Sequence, residues 1–283
     1  MKIGIVLEGG AMRGMYTAGV LDILMDFNLK VTDMVGVSAG VLFGVNYPSR
    51  QKGRAIRYNK KYIKDKRYTS FHSLITTGNI INKDFAFYEL PLKLDVFDEK
   101  TYEESGIRFY ATVTNIKTGK AEYIKVKNVL KQMEVLRASS AMPYVSKIVE
   151  WSGNQYLDGG IADSIPVETC KKLGCDKIIL ILTRPITYRK AKTSRVVKRL
   201  NKILYRNYPN LIKALNQRNQ NYNRQVESII KMEKRGELFV IRPSKPIQIK
   251  RIEKDINKLQ EVYDLGVHDA KHCLTDLQKY LSI

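Results

Sequence analysis

Gly36-Val37-Ser38-Ala39-Gly40 sets a serine between two glycines, each two residues away, with apolar Met34-Val35 before it and Val41-Leu42-Phe43 after it. A serine at such a strand-to-helix turn is held exposed, and an exposed serine beside a base is a nucleophile. A second glycine-rich turn, Gly9-Gly10-Ala11-Met12-Arg13-Gly14, follows the apolar run Ile3 to Leu7. Backbone N–H groups at such a turn point into one concavity and suit an anion. The turn lacks the Lys-Ser/Thr ending of a phosphate loop. It is no dinucleotide fingerprint either, because position 11 is alanine and no acidic ribose partner is evident. If Ser38 is a nucleophile, these amides serve as an oxyanion hole, where losing one donor costs about 3–4 kcal/mol of transition-state stabilisation. A third turn, Asp158-Gly159-Gly160, closes the apolar Tyr156-Leu157. A carboxylate at a strand end can act as a general base, and two glycines allow close backbone approach.

Taken singly, each turn has a plainer reading: a capped helix start, a tight packing turn and an ordinary Asp turn. The base is also open at this level. Only His72, His268 and His272 are present. A Ser38, Asp158, His268 triad follows α/β-hydrolase order. Against it, His268 and His272 lie four residues apart in a helical pattern with no loop to deliver them, and the elbow follows only the second strand. Surface or packing roles account for all three.

The elements that must position these residues are legible from periodicity. Ile3 to Leu7 reads as a fully buried strand. Met12 to Phe27 reads as a helix, Val31 to Val37 as a second strand, and Ser38 onward as a central helix that is apolar on most sides. Residues 48–106 are mixed and basic, a region of helices and irregular cap. Ile107 to Thr114 and Ala121 to Val126 pair as a hairpin around the turn Asn115 to Gly119. Val129 to Ala138 is helical. Pro166 opens a helix with Ser164 as its cap, and Lys177 to Thr183 is a further strand. Two basic amphipathic helices follow Arg184. Glu237 to Arg242 is a late strand, and Ile252 to Leu281 a closing helix broken near Gly266. Strands alternating with helices predict an α/β fold with a largely parallel central sheet.

Composition bounds the rest. A chain of 283 residues, 44% hydrophobic, buries a sizeable core. No apolar stretch is long enough to span a bilayer, and the first run is too short for a signal peptide. Cys170, Cys175 and Cys273 match no zinc or redox spacing, and an odd count argues against a disulfide framework. Cytoplasmic residence follows. The net charge of +21 implies an anionic partner.

The three turns together resemble the patatin-like phospholipase family in its bacterial form. The resemblance runs from about Lys2 to Leu182 in order and spacing, and includes Ala138-Ser139-Ser140-Ala141-Met142-Pro143 ahead of the Asp turn. It implies a three-layer α/β/α fold and a Ser–Asp dyad without histidine. Ser38 is then the nucleophile and Asp158 the general base. Gly9, Gly10 and Ala11 form the oxyanion hole with Arg13 nearby, and Gly14, Gly36, Gly40, Gly159 and Gly160 complete the motifs. The implied reaction is hydrolysis of lipid acyl esters, of phospholipase A or lysophospholipase type, with no cofactor and no metal. Many members carry a third glycine where Ala11 stands, which alters loop geometry but keeps the amide.

The expected division is a catalytic core over residues 1–183 and a basic helical region over residues 184–283, packed on or completing the core and outside the resemblance. For the basic tract 184–258, a solvated face and an anionic-membrane dock fit equally. Nucleic acid, suggested by Tyr188, Tyr205, Tyr208 and Tyr222 among the basic residues, ranks below lipid. Peripheral membrane contact by a cytoplasmic protein is the expectation, and a non-catalytic binder of anionic surfaces is the alternative from another class.

Overall fold

The computed structural model describes residues 1–282, the side chains of Phe71 and His72 excepted, so the sequence reading of His72 lies outside the described residues. The chain opens with β1 (Ile3–Leu7), a 3-10 turn (Ala11–Arg13), α1 (Gly14–Asp26), β2 (Asp33–Val37) and α2 (Ala39–Gly44). The mixed region holds α3 (Arg54–Tyr62), α4 (Phe71–Thr77), a π-helical segment (Phe85–Leu94) and α5 (Glu99–Glu104). Then come β3 (Arg108–Asn115), β4 (Ala121–Val126), α6 (Met133–Ser140), β5 (Val149–Trp151), β6 (Asn154–Asp158), α7 (Val167–Lys172) and β7 (Lys177–Ile181). The remainder is α8 (Arg195–Leu204), α9 (Pro209–Lys234), β8 (Phe239–Ile241) and α10 (Ile256–Leu281).

The sheet runs β5-β6-β3-β2-β1-β7-β8, with β4 also on β3. The strands β3, β2, β1, β7 and β8 are mutually parallel. Alternate residues divide between the two faces, as a pleated strand requires. Ile5 and Leu7 of β1 join a core with α1, α2 and α10, whereas Val6 joins one with α7 and α9. Helices therefore cover both faces, giving three α/β/α layers. Among the described residues no helix is long and apolar enough to cross a membrane.

Two details differ from the sequence reading. α10 runs unbroken through Gly266. That glycine marks a helix crossing, since a Cβ there would lie 2.1 Å from the Tyr16 carbonyl of α1, and Gly19 of α1 meets Tyr263 O at 2.2 Å in the same way. Ser164 does not cap α7. Its hydroxyl donates to Gly160 O at 2.9 Å, and Pro166 occupies the cap position.

The arrangement around β3 fixes the site. β4 pairs with Phe109 to Thr114 along one edge of β3. The other edge carries β2 up to the pair Val37↔Thr112, and β6 takes over at Asp158↔Val113. β2 is parallel to β3 and β6 antiparallel, so their carboxyl ends meet head to head on consecutive β3 residues, about 3.3 Å apart along the strand. Ser38 follows one end and Asp158 terminates the other.

Candidate active site

Ser38 stands between β2 and α2 with φ +55° and ψ −120°. A non-glycine residue in that region costs about 1–3 kcal/mol and persists only where its surroundings over-determine it. Here the Ser38 amide donates to Ser139 Oγ at 3.0 Å, and the Ser139 hydroxyl donates to Thr112 O at 2.7 Å. α6 thus ties the elbow to β3. Gly40 and Gly36 allow the bend, because a Cβ on Gly40 would fall 2.6 Å from Leu7 O and one on Gly36 2.9 Å from Gly40 O. Ser38 remains partly exposed.

Asp158 is 3% exposed. Its amide donates to Ala141 O at 2.9 Å, its carbonyl accepts from Thr114 Oγ1 at 2.9 Å, and its Oδ1 accepts the Gly160 amide at 2.8 Å. Gly159 is required beneath it, since a Cβ there would lie 2.1 Å from Thr112 O. A Cβ built on Gly160 would meet Asp158 Oδ1 at 3.1 Å, Arg218 Nη2 at 3.4 Å and Val37 Cγ1 at 3.5 Å, so the carboxylate, that guanidinium and the elbow surround one glycine.

The first glycine turn lies over the serine. A Cβ on Gly9 would be 3.1 Å from the Ser38 Cβ. Among the described residues, the amides of Gly9 and Gly10 have no hydrogen-bond partner within the protein. The Arg13 amide is engaged with Gly10 O at 3.1 Å, so Arg13 offers the site its guanidinium only.

Ser38, Asp158, Gly9, Gly10, Ala11 and Arg13 all line one cavity of about 650 Å³. His268 does not. It stacks on His272 on α10, ring centroids 4.0 Å apart, outside that cavity. The sequence reading, which allowed the basic tract a part in substrate capture beside surface docking, named none of the cationic side chains on the opposite wall: Arg184, Lys190, Lys192, Arg218 and Arg251, all from that tract, line it. Tyr188 and Tyr222 belong to this wall as well. The Arg184 guanidinium sits 4.1 Å from the Tyr188 ring centroid and the Lys190 ammonium 3.7 Å from that of Tyr222, so neither ring is an open stacking face. The other two tyrosines bridge elements: Tyr205 Oη accepts the Tyr144 amide, and Tyr208 Oη donates to Gln155 Oε1. The one signal available beforehand was the pair Asn219 and Asn223, whose side chains bind Ala191 O and the Lys190 amide along α9, while Thr193 Oγ1 donates to the backbone carbonyl of Asn216.

Ser38 and Asp158 thus stand at strand ends beneath a glycine turn, on a sheet of the three-layer α/β/α type. The patatin-like phospholipase model matches residues 5–171, and the chain belongs to that family. A second model, a domain of unknown function (DUF6363), matches residues 208–282, so part of the basic tract also recurs elsewhere. YjjU, an uncharacterized protein of Escherichia coli, is 28% identical over 288 residues, covering 99% of this chain and 79% of that protein. Lysophospholipase nte1 of Emericella nidulans is 28% identical over 190 residues, 63% of this chain but 12% of that protein. Among solved structures, VipD from Legionella pneumophila aligns over 97% of this chain and 67% of its own at a TM-score of 0.47 and 14% identity.

Burial, then the charge of Arg218, push the Lys190 ammonium down to about 7, against partial support from Glu8 and Asp158. An unfolded lysine keeps its proton to about pH 10.4. Between about pH 7 and 10 the unfolded chain therefore binds a proton that the folded chain has released, and stability contributed at this site rises with pH across that window. Lys190→Met removes the effect. In urea melts its advantage over the parent is greatest below pH 7 and shrinks towards pH 10; an advantage independent of pH contradicts this assignment.

Proposed function

We propose that the protein hydrolyses carboxylic esters of lipids, of phospholipase A or lysophospholipase type, through a Ser38–Asp158 dyad. The observation that carries this reading is the head-to-head meeting of β2 and β6 on β3, with a strained Ser38 beyond one end and a buried Asp158 at the other. Ser38 Oγ attacks the acyl carbon and its proton passes to Asp158. The oxyanion that forms is received by the Gly9, Gly10 and Ala11 amides. Collapse breaks the ester C–O bond, the leaving alcohol takes the proton from Asp158, and an acyl-Ser38 intermediate remains. Water then gives its proton to Asp158 and attacks the acyl carbon; the proton returns to Ser38 as the fatty acid leaves. The two glycines beside Asp158 leave its carboxylate open to close approach by the serine hydroxyl, with no imidazole between them. The lysophospholipase likeness supports lipid esters as the substrate class.

Ser38→Ala and Asp158→Asn are each expected to lower turnover of a short-chain p-nitrophenyl ester at least 10³-fold, in line with loss of a nucleophile or its base. His268→Ala leaves it within twofold. Loss of activity in a folded His268→Ala protein would falsify the dyad.

We propose also that α8 rests on an anionic membrane beside the cavity mouth, as a protein at home in the cytoplasm with peripheral contact would. Val196, Val197, Leu200, Ile203 and Leu204 fall on one stripe at helical spacing, and all are at least 37% exposed. The helix is fastened to the body by a polar residue instead: buried Asn201 donates to Asn216 Oδ1 at 2.9 Å and accepts the Tyr144 hydroxyl. Arg199 borders the apolar stripe, and Arg195, Lys198 and Lys202 project from the opposite face of the helix, so α8 also carries positive charge towards anionic lipid, at about 1 kcal/mol per well-placed cation. Val197 reaches the cavity lining. Vesicle sedimentation should show binding that grows with phosphatidylserine content and falls with salt, and Leu200→Glu with Ile203→Glu should weaken it about tenfold or more. Binding indifferent to both lipid charge and these substitutions contradicts the dock.

A further inference from the structure

Six cationic side chains line the cavity that holds Ser38: Arg13, Arg184, Lys190, Lys192, Arg218 and Arg251. Two carboxylates face them, and both have other partners. Glu8 accepts the Thr183 amide at 2.6 Å and its hydroxyl at 3.2 Å, and Asp158 Oδ1 accepts Gly160. Among the described residues none of the six cations lies within ion-pair distance of a carboxylate. Concentrating positive charge in a partly enclosed space without counter-ions is unfavourable until an anion enters.

The cluster is built, not a chance crowding of long side chains. Lys190 is largely buried and its backbone is locked to α9 twice, by its amide to Asn223 Oδ1 at 2.8 Å and by Asn223 Nδ2 to its carbonyl at 2.9 Å. Asn219 Nδ2 holds the next carbonyl, that of Ala191, at 2.8 Å. Arg218 is set by one bond, Nε to Gly160 O at 2.7 Å, which leaves its terminal amino groups towards the carboxylate end of the site. The buried Nε of Arg13 has no partner. Burial first, and then the neighbouring Arg184, push Arg13 down to about 10.

The same wall is ill suited to a choline-type head. A quaternary ammonium is recognised by free carboxylates or uncovered aromatic faces. Glu8 and Asp158 are outnumbered there by six basic side chains, and Tyr188 and Tyr222 already carry Arg184 and Lys190 over their rings.

We infer that the cavity selects acyl esters whose head group is a phosphate monoester, held by Arg13, Arg184, Lys190 and Arg218, over esters with zwitterionic heads. Arg184 and Lys190 lie between the two matched stretches and Arg218 within the second, 208–282, so head-group choice is supplied from outside the patatin-like stretch 5–171. The inference rests on the acyl-hydrolase reading for its turnover, although not for its binding.

The test compares lysophosphatidic acid with lysophosphatidylcholine of the same acyl chain, both as monomers. The kcat/KM ratio should favour the phosphate monoester at least tenfold, and Lys190→Met and Arg218→Met should each cut that ratio about tenfold, mainly through KM. Calorimetry on the Ser38→Ala protein gives binding without turnover. Lysophosphatidic acid should bind more tightly than glycerol 3-phosphate or inorganic phosphate, and lysophosphatidylcholine weakly. Equal kcat/KM for the two lipids, or equal binding of both, overturns the inference while leaving the hydrolase reading intact. Selective binding with no turnover by the unsubstituted protein sustains it and removes the hydrolase reading. Inorganic phosphate binding as tightly as the lipid assigns the cluster to a free anion and overturns the lipid assignment.

Discussion

One strand edge sets the geometry of this protein. β3 gives β4 its whole outer edge and divides the inner edge between β2 and β6, with the junction falling between Thr112 and Val113. Parallel and antiparallel partners can share an edge in this way only by meeting end to end. Both ends present functional residues, Ser38 and Asp158. The glycines follow from this meeting: Gly159 must pass over Thr112 O, Gly9 over Ser38, and Gly40 over Leu7 O. A side chain at any of them would force apart elements that the sheet register holds together. Ser139, bonded to both the Ser38 amide and the Thr112 carbonyl, locks the junction from the helix layer.

The local parts of this plan were legible in the sequence. Buried parallel strands read as continuous apolar runs, so β1, β2 and β7 stand out, and glycines after β1, β2 and β6 mark the turns. The family resemblance added the pairing of Ser38 with Asp158, which lie 120 positions apart and have no local signal connecting them. What stayed hidden depended on long-range packing. Gly266 resembled a helix break because glycine is a poor helix former, yet the constraint is the Tyr16 backbone across the α1–α10 crossing. Ser164 resembled a cap, but its hydroxyl donates to Gly160 O and Pro166 holds the cap position of α7.

Charge was the least legible feature. A basic tract is ordinarily a solvated face, and composition cannot say which lysines turn inward. α8 does expose its charges, together with an apolar stripe that a globular helix would bury. Arg184, Lys190 and Arg218 instead line the cavity: the segment carrying Lys190 is held to α9 by the Asn219 and Asn223 side chains, and Arg218 by its bond to Gly160 O. Part of the net charge of +21 thus lies on the exposed surface of α8 and part along the cavity that holds Ser38.

The most direct test of the account is where a long-chain alkyl fluorophosphonate attaches. Such a probe reports an activated serine beside an oxyanion site. The account predicts one adduct per chain, recovered by peptide mass spectrometry on Ser38, forming at least 10²-fold more slowly when Asp158 is Asn. An adduct on any other residue, or labelling of Ser38 at the same rate without the Asp158 carboxylate, would contradict it.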